Sequence, residues 1–291
     1  MEFDFQRYIQ DKRRVGGGAP TDSTTAPYAF GRDARVLRTL ERARPVKLAL
    51  EASHKLDVER LRERILGGAR RADDQHEPRL ARRFEKLAAS LSMSPPPLYL
   101  TDEAGDLGAL ALSIEREPFV LIDRSLLDTL EDDELSFVLG RLLGHIQNDH
   151  ALFLTTAFAL ERFDDAFMGW IVKPARFAIG AWLKLGDLTA DRAGMLACKD
   201  LHVAARALIK RRAPGALENP IDINNILDEA EENPRGSLMA RLTERDPRLP
   251  GRLAAMKAFA DSELFRRAQG REGGQSLTSV DRQVESIIKL W

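Results

Sequence analysis

The stretch that decides the fold runs from Val138 to Ile146 and reads VLGRLLGHI. Apolar residues cover nearly every face of a helix drawn through this stretch and its flanks, so we expect a helix from residue 131 to about 161 at the centre of a domain. Two of its residues can carry chemistry, Arg141 and His145. They are four positions apart and therefore lie on one helical face.

This spacing is that of the two histidines in the zinc-peptidase motif H-E-x-x-H. In that motif the two imidazoles bind one Zn²⁺, and the glutamate takes a proton from the metal-bound water. In this chain Arg141 stands at the first histidine position, Leu142 at the glutamate position, and only His145 matches. A guanidinium cannot bind a cation, and leucine has no proton to exchange.

Further elements flank the helix in a fixed order. Short apolar stretches at 95–100, 109–112 and 118–122 precede it and predict strands. A second helical stretch follows at 187–197 and reads DLTADRAGMLA. The segment 246–252 then reads DPRLPGR.

Four elements thus follow in order: the group of apolar stretches, the helix with Arg141, the second helical stretch and the segment 246–252. Together they resemble the HtpX-like zinc metallopeptidases, metallopeptidase family 48, in their soluble bacterial form, over residues 80–267. The resemblance implies an α+β, mostly helical gluzincin fold with a small sheet over the metal-site helix. It implies that Asp187 stands where the family has its third ligand, a glutamate, and that Asp191 matches an aspartate that orients a ligand. Asp246 replaces the histidine of an H-P-x-x-x-x-R element, whose arginine is Arg252.

These departures from the family's motif residues predict a catalytically inactive pseudopeptidase without zinc or any other cofactor. Loss of the general base alone removes a rate contribution of about 10²- to 10⁴-fold. We therefore expect no catalytic residue among the degenerate positions, which are Arg141, Leu142, His145, Asp187, Asp191 and Asp246. The alternative is a zinc metalloendopeptidase with a rearranged metal site.

The retained cleft is the expected place of binding, and a protein or peptide the expected partner. The resemblance implies an extended segment along an edge strand near residues 106–113, and strand addition uses backbone rather than a metal. The protein would then be a scaffold or a regulator. The cleft candidates are Asp106, Leu107, Gly108, Ala109, Leu110, Arg141, His145, Asp187, Asp191 and Arg252.

Arg141 on a buried helix needs a counter-charge. The resemblance places Asp187 and Asp191 opposite, so we expect an ion pair where the family holds zinc; the alternative is that Arg141 reaches solvent. His145 is expected to be a buried histidine held by a carboxylate rather than a metal ligand. His150 lies about 140° further round a regular helix and is expected at the surface.

Composition predicts a cytoplasmic protein. A net charge of -1 in 291 residues gives no reason to propose nucleic acid or an anionic membrane as partner. The single cysteine, Cys198, suits a reducing compartment, and the opening residues lack the pattern of a signal peptide. Charged residues and Pro174 interrupt the apolar stretch 167–185, which therefore predicts a buried helical hairpin and no transmembrane span.

Four segments are expected. These are a flexible lead-in at 1–33, N-terminal helices at 34–78 bent near Pro45, the peptidase-like domain at 79–269, and a linker with an amphipathic helix at 270–291. The apolar stripe of the last helix must be buried for so short a helix to be stable. It would dock on the protein's own body, on a second copy in a homodimer, or on another protein that this chain regulates. Ile287 and Trp291 are the candidate interaction residues.

Overall fold

The computed structural model describes residues 25–55, 62–63, 65–102, 108–115, 117–162, 169–212, 222–232, 239–240, 242, 244 and 246–289. Its secondary structure is mostly helical, with one small mixed sheet, as the expected α+β class requires. In the described part of the chain, no helix is both long and apolar enough to cross a membrane.

Two helices, α1 (Gly31–Leu40) and α2 (Arg44–Lys55), form the N-terminal layer. Pro45 lies in the first turn of α2, where its missing N–H leaves no helical bond unmade. Of the lead-in predicted as flexible, residues 1–24 lie outside the described residues. Residues 25–33 correct that prediction, because Tyr28 and Phe30 are 3% and 0% exposed and are part of the main core.

The sheet has four strands in the order β1-β2-β4-β3. Its strands are β1 (Arg70–Arg71), β2 (Leu98–Thr101), β3 (Ala109–Ile114) and β4 (Glu117–Asp123). β2 and β4 are parallel, whereas β3 is antiparallel to β4 and lies at the edge. The three predicted strands are confirmed, and β1 was not predicted because two arginines carry no strand pattern.

The central helix is α5 (Asp132–Gln147), which follows α3 (Pro78–Ser90) and the short α4 (Ser125–Thr129). All its residues from Glu134 to Ile146 are buried, as the apolar pattern predicted. The carboxylate of Glu134 accepts a hydrogen bond from the backbone N–H of Glu131 at 2.9 Å, which satisfies a donor at the helix start.

The predicted end of this helix is wrong. α5 stops at Gln147, and a new helix, α6 (Ala151–Arg162), begins after a three-residue turn. Asp149 has a left-handed φ of 62°, and the Asn148 side chain donates to the carbonyl of Gly144 at 2.8 Å. Asparagine and aspartate tolerate such turns because their short polar side chains bond to nearby backbone.

The next helix, α7 (Gly169–Cys198), is one continuous element of 30 residues. The hairpin predicted for 167–185 is therefore wrong where the structure describes it, and Phe177, with an exposed fraction of 80%, is not buried. Residue 167 lies outside the described residues. Pro174 lies inside α7, after its first turn, where its missing N–H removes one helical hydrogen bond.

The two long helices pack antiparallel at unusually short distance. A Cβ added at Gly140 would overlap the Cβ of Ala197, and one added at Gly194 would lie 2.7 Å from Cγ of Arg141. Only hydrogen fits at these positions. The glycines therefore let α7 approach the face of α5 that carries Arg141.

The remaining helices close the core. They are α8 (Leu201–Arg212), α9 (Ile223–Glu232), α10 (Leu249–Ala260), α11 (Glu263–Ala268) and α12 (Leu277–Ile288). In α12 the buried residues are Val280 and Val284. Asp281 binds Arg192 of α7 at 2.7 Å and the backbone N–H of Gly31 at 3.0 Å. Of the three docking sites proposed for the tail, the described residues place α12 on the protein's own body.

Candidate functional site

Arg141, Asp187 and Asp191, which we predicted to stand at metal-site positions, meet where α5, α7 and α10 come together. Arg141 extends from α5 and is 3% exposed. Its Nε lies 2.5 Å from Oδ1 of Asp191, and its Nη2 lies 2.8 Å from Oδ1 of Asp187, both on α7. The predicted ion pair is therefore present, and the solvent-facing alternative for Arg141 is wrong.

A second arginine completes the buried cluster. Arg252 on α10 is 0% exposed and donates to both carboxylate oxygens of Asp191, from Nε at 2.8 Å and from Nη2 at 2.7 Å. This is the paired, two-bond geometry in which a guanidinium binds a carboxylate most strongly. Asp191 thus joins α5, α7 and α10 through one side chain.

Asp246 lies at the outer side of the same cluster. Its Oδ1 accepts from the backbone N–H of Arg248 at 3.0 Å and lies 3.3 Å from Nε of that residue. Its Oδ2 is 3.7 Å from Nε of Arg212. Arg248 also reaches Oδ2 of Asp187 at 3.4 Å, so it connects the two carboxylates.

The charges around Asp187 keep it ionised. Burial by itself raises the pKa of this carboxyl, but Arg252, Arg141, Arg212 and Arg248 together hold the pKa far below its usual range. Asp187 is therefore an anion at neutral pH, and it serves as the counter-charge of Arg141.

His145 lies beside this cluster in a different network. Its Nδ1 is 3.0 Å from Nδ1 of His150, and Nε2 of His150 is 3.1 Å from Oδ2 of Asp33. Asp33 also accepts from Trp182 Nε1 at 2.7 Å. His145 is buried, as expected, but its described partner is another imidazole rather than a carboxylate.

The prediction that His150 lies at the surface is wrong, because it is 1% exposed. The prediction assumed a regular helix through residue 150, whereas the turn at 148–150 swings the imidazole back toward His145. The Asn-Asp pair before it is a turn signal that could have predicted this. No local sequence signal could have predicted Asp33 as a partner of His150, since the two residues are more than a hundred positions apart in sequence.

The environment of His145 favours a neutral imidazole. Burial is the largest cause that lowers its pKa, followed by the neighbouring His150 and Arg141, and together they place the pKa well below its ordinary value. A neutral imidazole keeps one nitrogen free of a proton.

Leu142, which we predicted to stand at the position of the family's general base, is 3% exposed. It belongs to the main hydrophobic core together with Leu139 and Leu143. No described carboxylate takes its place on α5, because Glu134, the buried carboxylate of that helix, binds Lys210 at 2.8 Å.

The edge strand β3 is partly covered by α6. Gly108, Ala109 and Leu110 lie at its start, whereas Asp106 and Leu107 lie outside the described residues. The backbone N–H of Ser113 donates to Oγ1 of Thr155 on α6 at 2.8 Å. One backbone donor of the edge is therefore already satisfied, and a strand-adding peptide would have to use the start of β3.

The structure describes one of the two predicted interaction residues in the tail. Ile287 is half-buried on α12, and Trp291 lies outside the described residues. Of the tail stripe, Val280 and Val284 are at most 1% exposed.

The described side chains around Arg141 do not form a set of zinc ligands. Within the described ranges, no group of three His, Cys, Asp or Glu side chains could hold a metal. The guanidinium of Arg141 lies between Asp187 and Asp191 and is hydrogen-bonded to both. The described side chains at this place therefore do not fit a three-ligand zinc centre.

Comparisons with known proteins bear on the same part of the chain. The model of the family described as Peptidase family M48 matches residues 74–260. The plastoglobule-localized metallopeptidase 48 of Arabidopsis thaliana is 30% identical over 156 residues, which is 52% of this chain and 45% of that protein. A protease HtpX homolog of Halobacterium salinarum is 36% identical over 81 residues, 28% of each chain. The chain thus spans less than half the length of these curated relatives, and no solved structure matches it.

The family match corrects one prediction. We expected no zinc, but members of this family are zinc metallopeptidases, so zinc is the cofactor that the match leads us to expect. The expectation of no cofactor is therefore wrong, although the side chains described above depart from the family's metal site.

Proposed function

The chain belongs to peptidase family M48, and from that premise we propose that it is a pseudopeptidase that binds peptide or protein segments instead of hydrolysing them. The observation that carries the proposal is the position of Arg141. Its side chain is bonded to Asp187 and Asp191 where the family's pattern has a histidine, and Leu142 follows it where the pattern has the base.

Peptide hydrolysis needs a group that takes a proton from the attacking water. Leucine supplies none, and the removal of a general base lowers the rate by about 10²- to 10⁴-fold. The nearest described imidazole on the same helix is His145, whose Nδ1 is engaged with His150. These contacts support binding without turnover.

The fold itself supports a binding role. The ion pairs of Arg141 and Arg252 with Asp191 join α5, α7 and α10, so they support the shape of the cleft region. The start of the edge strand, from Gly108 to Leu110, offers backbone for an extended segment.

A second candidate is a zinc metallopeptidase with a rearranged site, and the family membership favours it. One experiment separates the two. The full chain, supplied with zinc, is incubated with a fluorogenic peptide library and with casein, and binding of the same peptides is followed by fluorescence anisotropy.

We expect binding without measurable cleavage. Cleavage that a chelator stops, and that His145→Ala abolishes while Arg206→Ala does not, would overturn the proposal. Arg206 is a fair control because it is half-exposed and pairs with Glu134 outside the cluster.

A further inference from the structure

The first half of α7 has one face that the described residues leave largely uncovered. Phe177 lies on this face with an exposed fraction of 80%, and it is the only large apolar residue that is exposed in the described part of the chain. A Cβ added at Gly180 on the same face would meet no atom within 4 Å. Phe177 is therefore presented to solvent on an open helical surface.

The opposite face of this stretch is buried. Ala175, Ile179 and Trp182 are at most 1% exposed, and they pack in a hydrophobic cluster with residues of α1, α2 and α6. At 3.6 residues per turn, these three side chains lie about 140 to 160° round the helix from Phe177. The packing of α7 on the N-terminal layer thus fixes the orientation in which Phe177 faces outward.

The exposed face carries positive charge and no negative charge. Lys173 and Lys184 are exposed, one turn before Phe177 and two turns after it, and lie within about 40° of it round the helix. Arg176 is exposed beside them. The stretch 169–186 contains no aspartate or glutamate, and none of the ion pairs among the described residues involves these three cations. The face therefore combines one aromatic ring with three unneutralised charges.

An anionic lipid surface has the complementary chemistry. An aromatic side chain enters the boundary between headgroups and acyl chains, while lysine and arginine stay at the level of the phosphates. Each cation near such a surface strengthens binding about fivefold. The net charge of -1 gave no reason to expect this partner, but charges are screened beyond about 8 to 10 Å, so the local charge of the face decides.

A protein partner fits the same face less well. A standard protein interface buries about 800 Å² on each side, with large apolar or aromatic residues at its centre. Phe177 has no large apolar neighbour that is exposed, since the residues around it on this face include Pro174, Gly180 and Ala181. A bilayer needs no matching surface to receive a single ring.

We propose that the face of α7 formed by Lys173, Arg176, Phe177 and Lys184 docks on the surface of a bilayer that contains anionic lipids. Phe177 enters the interface, and the three cations bind lipid phosphates. The docking is weak and reversible, because stable anchoring takes a lipid chain together with a second signal.

The test sediments the full chain with vesicles of phosphatidylglycerol and phosphatidylcholine in equal parts, and with vesicles of phosphatidylcholine alone. We expect binding to the anionic vesicles that salt weakens. Lys173→Gln and Lys184→Gln should each lower the partition coefficient about fivefold, and Phe177→Ser should lower it about tenfold. These side chains are exposed, so the variants should fold, which circular dichroism checks.

Lys86→Gln on α3 is the matched control. Lys86 is also an exposed lysine, but its helix packs on the main core rather than on the cluster beneath Phe177, so binding should be unchanged. An equal loss in Lys86→Gln, equal binding to both kinds of vesicle, or binding to neither would overturn the proposal. If Phe177→Ser dissociated a dimer in light scattering while no vesicle was bound, the face would belong to a second copy of the chain instead.

Discussion

At the scale of single residues, Arg141 is the centre of the buried ion-pair cluster, since it binds both Asp187 and Asp191. Arg141→Ala breaks two buried ion pairs, but Asp191 keeps Arg252 and Asp187 keeps Arg248, so the cost should lie near the lower end for a broken buried pair, about 3 kcal/mol. Arg141→Ala should therefore lower the free energy of unfolding by that amount, as measured by urea titration.

The control for Arg141→Ala is Arg124→Ala. Arg124 binds Glu77 at 2.7 Å, but the two side chains are 41% and 39% exposed, and such surface pairs contribute little to stability. If both variants lost the same small amount, Arg141 would not be the residue that holds the three helices together.

A second prediction concerns Asp33 and the dependence of the unfolding free energy on pH. Burial acts to raise its pKa, but His150, Thr189 and Trp182 lower it below its usual value. A carboxyl with a lowered folded pKa adds stability above the unfolded pKa, near 4, and that stability is lost as the pH falls through the folded pKa. The slope for one group is at most about 1.4 kcal/mol per pH unit.

We therefore expect the unfolding free energy of the natural chain to fall between pH 5 and pH 3 more steeply than that of Asp33→Asn. Urea titrations at several pH values give both curves. Parallel curves for the two proteins would show that Asp33 is not an anion stabilised by its neighbours.

At the scale of elements, the contact between α5 and α7 depends on glycine. A methyl group at Gly140 would overlap Ala197 and lie 3.0 Å from Cα of Gly194, so the helices would have to separate. Overpacking of this kind costs about 1 to 3 kcal/mol. Gly140→Ala should therefore lower the melting temperature.

Gly180→Ala is the matched control on α7, because nothing lies within 4 Å of the added Cβ. Alanine is the better helix former by about 1 kcal/mol, so this variant should be equally stable or more stable. A melting temperature that rises in both variants would contradict the close packing of the two helices.

At the scale of the whole molecule, α12 connects the N-terminal helix α1 to α7. Val280 and Val284 are buried, Asp281 binds Arg192, and Glu285 binds Arg35 at 3.0 Å. Two buried valines contribute roughly 1.5 to 3 kcal/mol each. Truncation after Gly274 should therefore lower the melting temperature markedly at unchanged oligomeric mass in light scattering.

Asp281→Asn separates the polar part of this contact from the apolar part and should lose less stability than the truncation. Loss of a dimer at an unchanged melting temperature would instead assign α12 to an interface. The homodimer and the cytoplasmic location remain predictions, and so do the boundaries of the four segments.

The sequence by itself determined the local features of this protein. A helix that is apolar on all faces must be buried, short apolar stretches form strands, and the five residues from Arg141 to His145 predict a departure from the zinc motif. The expected counter-charges of Arg141 were also found where the family pattern placed them. These features depend on periodicity and side-chain chemistry, which are properties of the chain alone.

Only the tertiary structure decided which distant groups meet. It brought Asp33 to His150 across more than a hundred residues, turned His150 inward at a three-residue break, and placed Arg212 and Arg248 on one carboxylate. Such pairings depend on how helices pack and on where each one ends, and no local pattern encodes either.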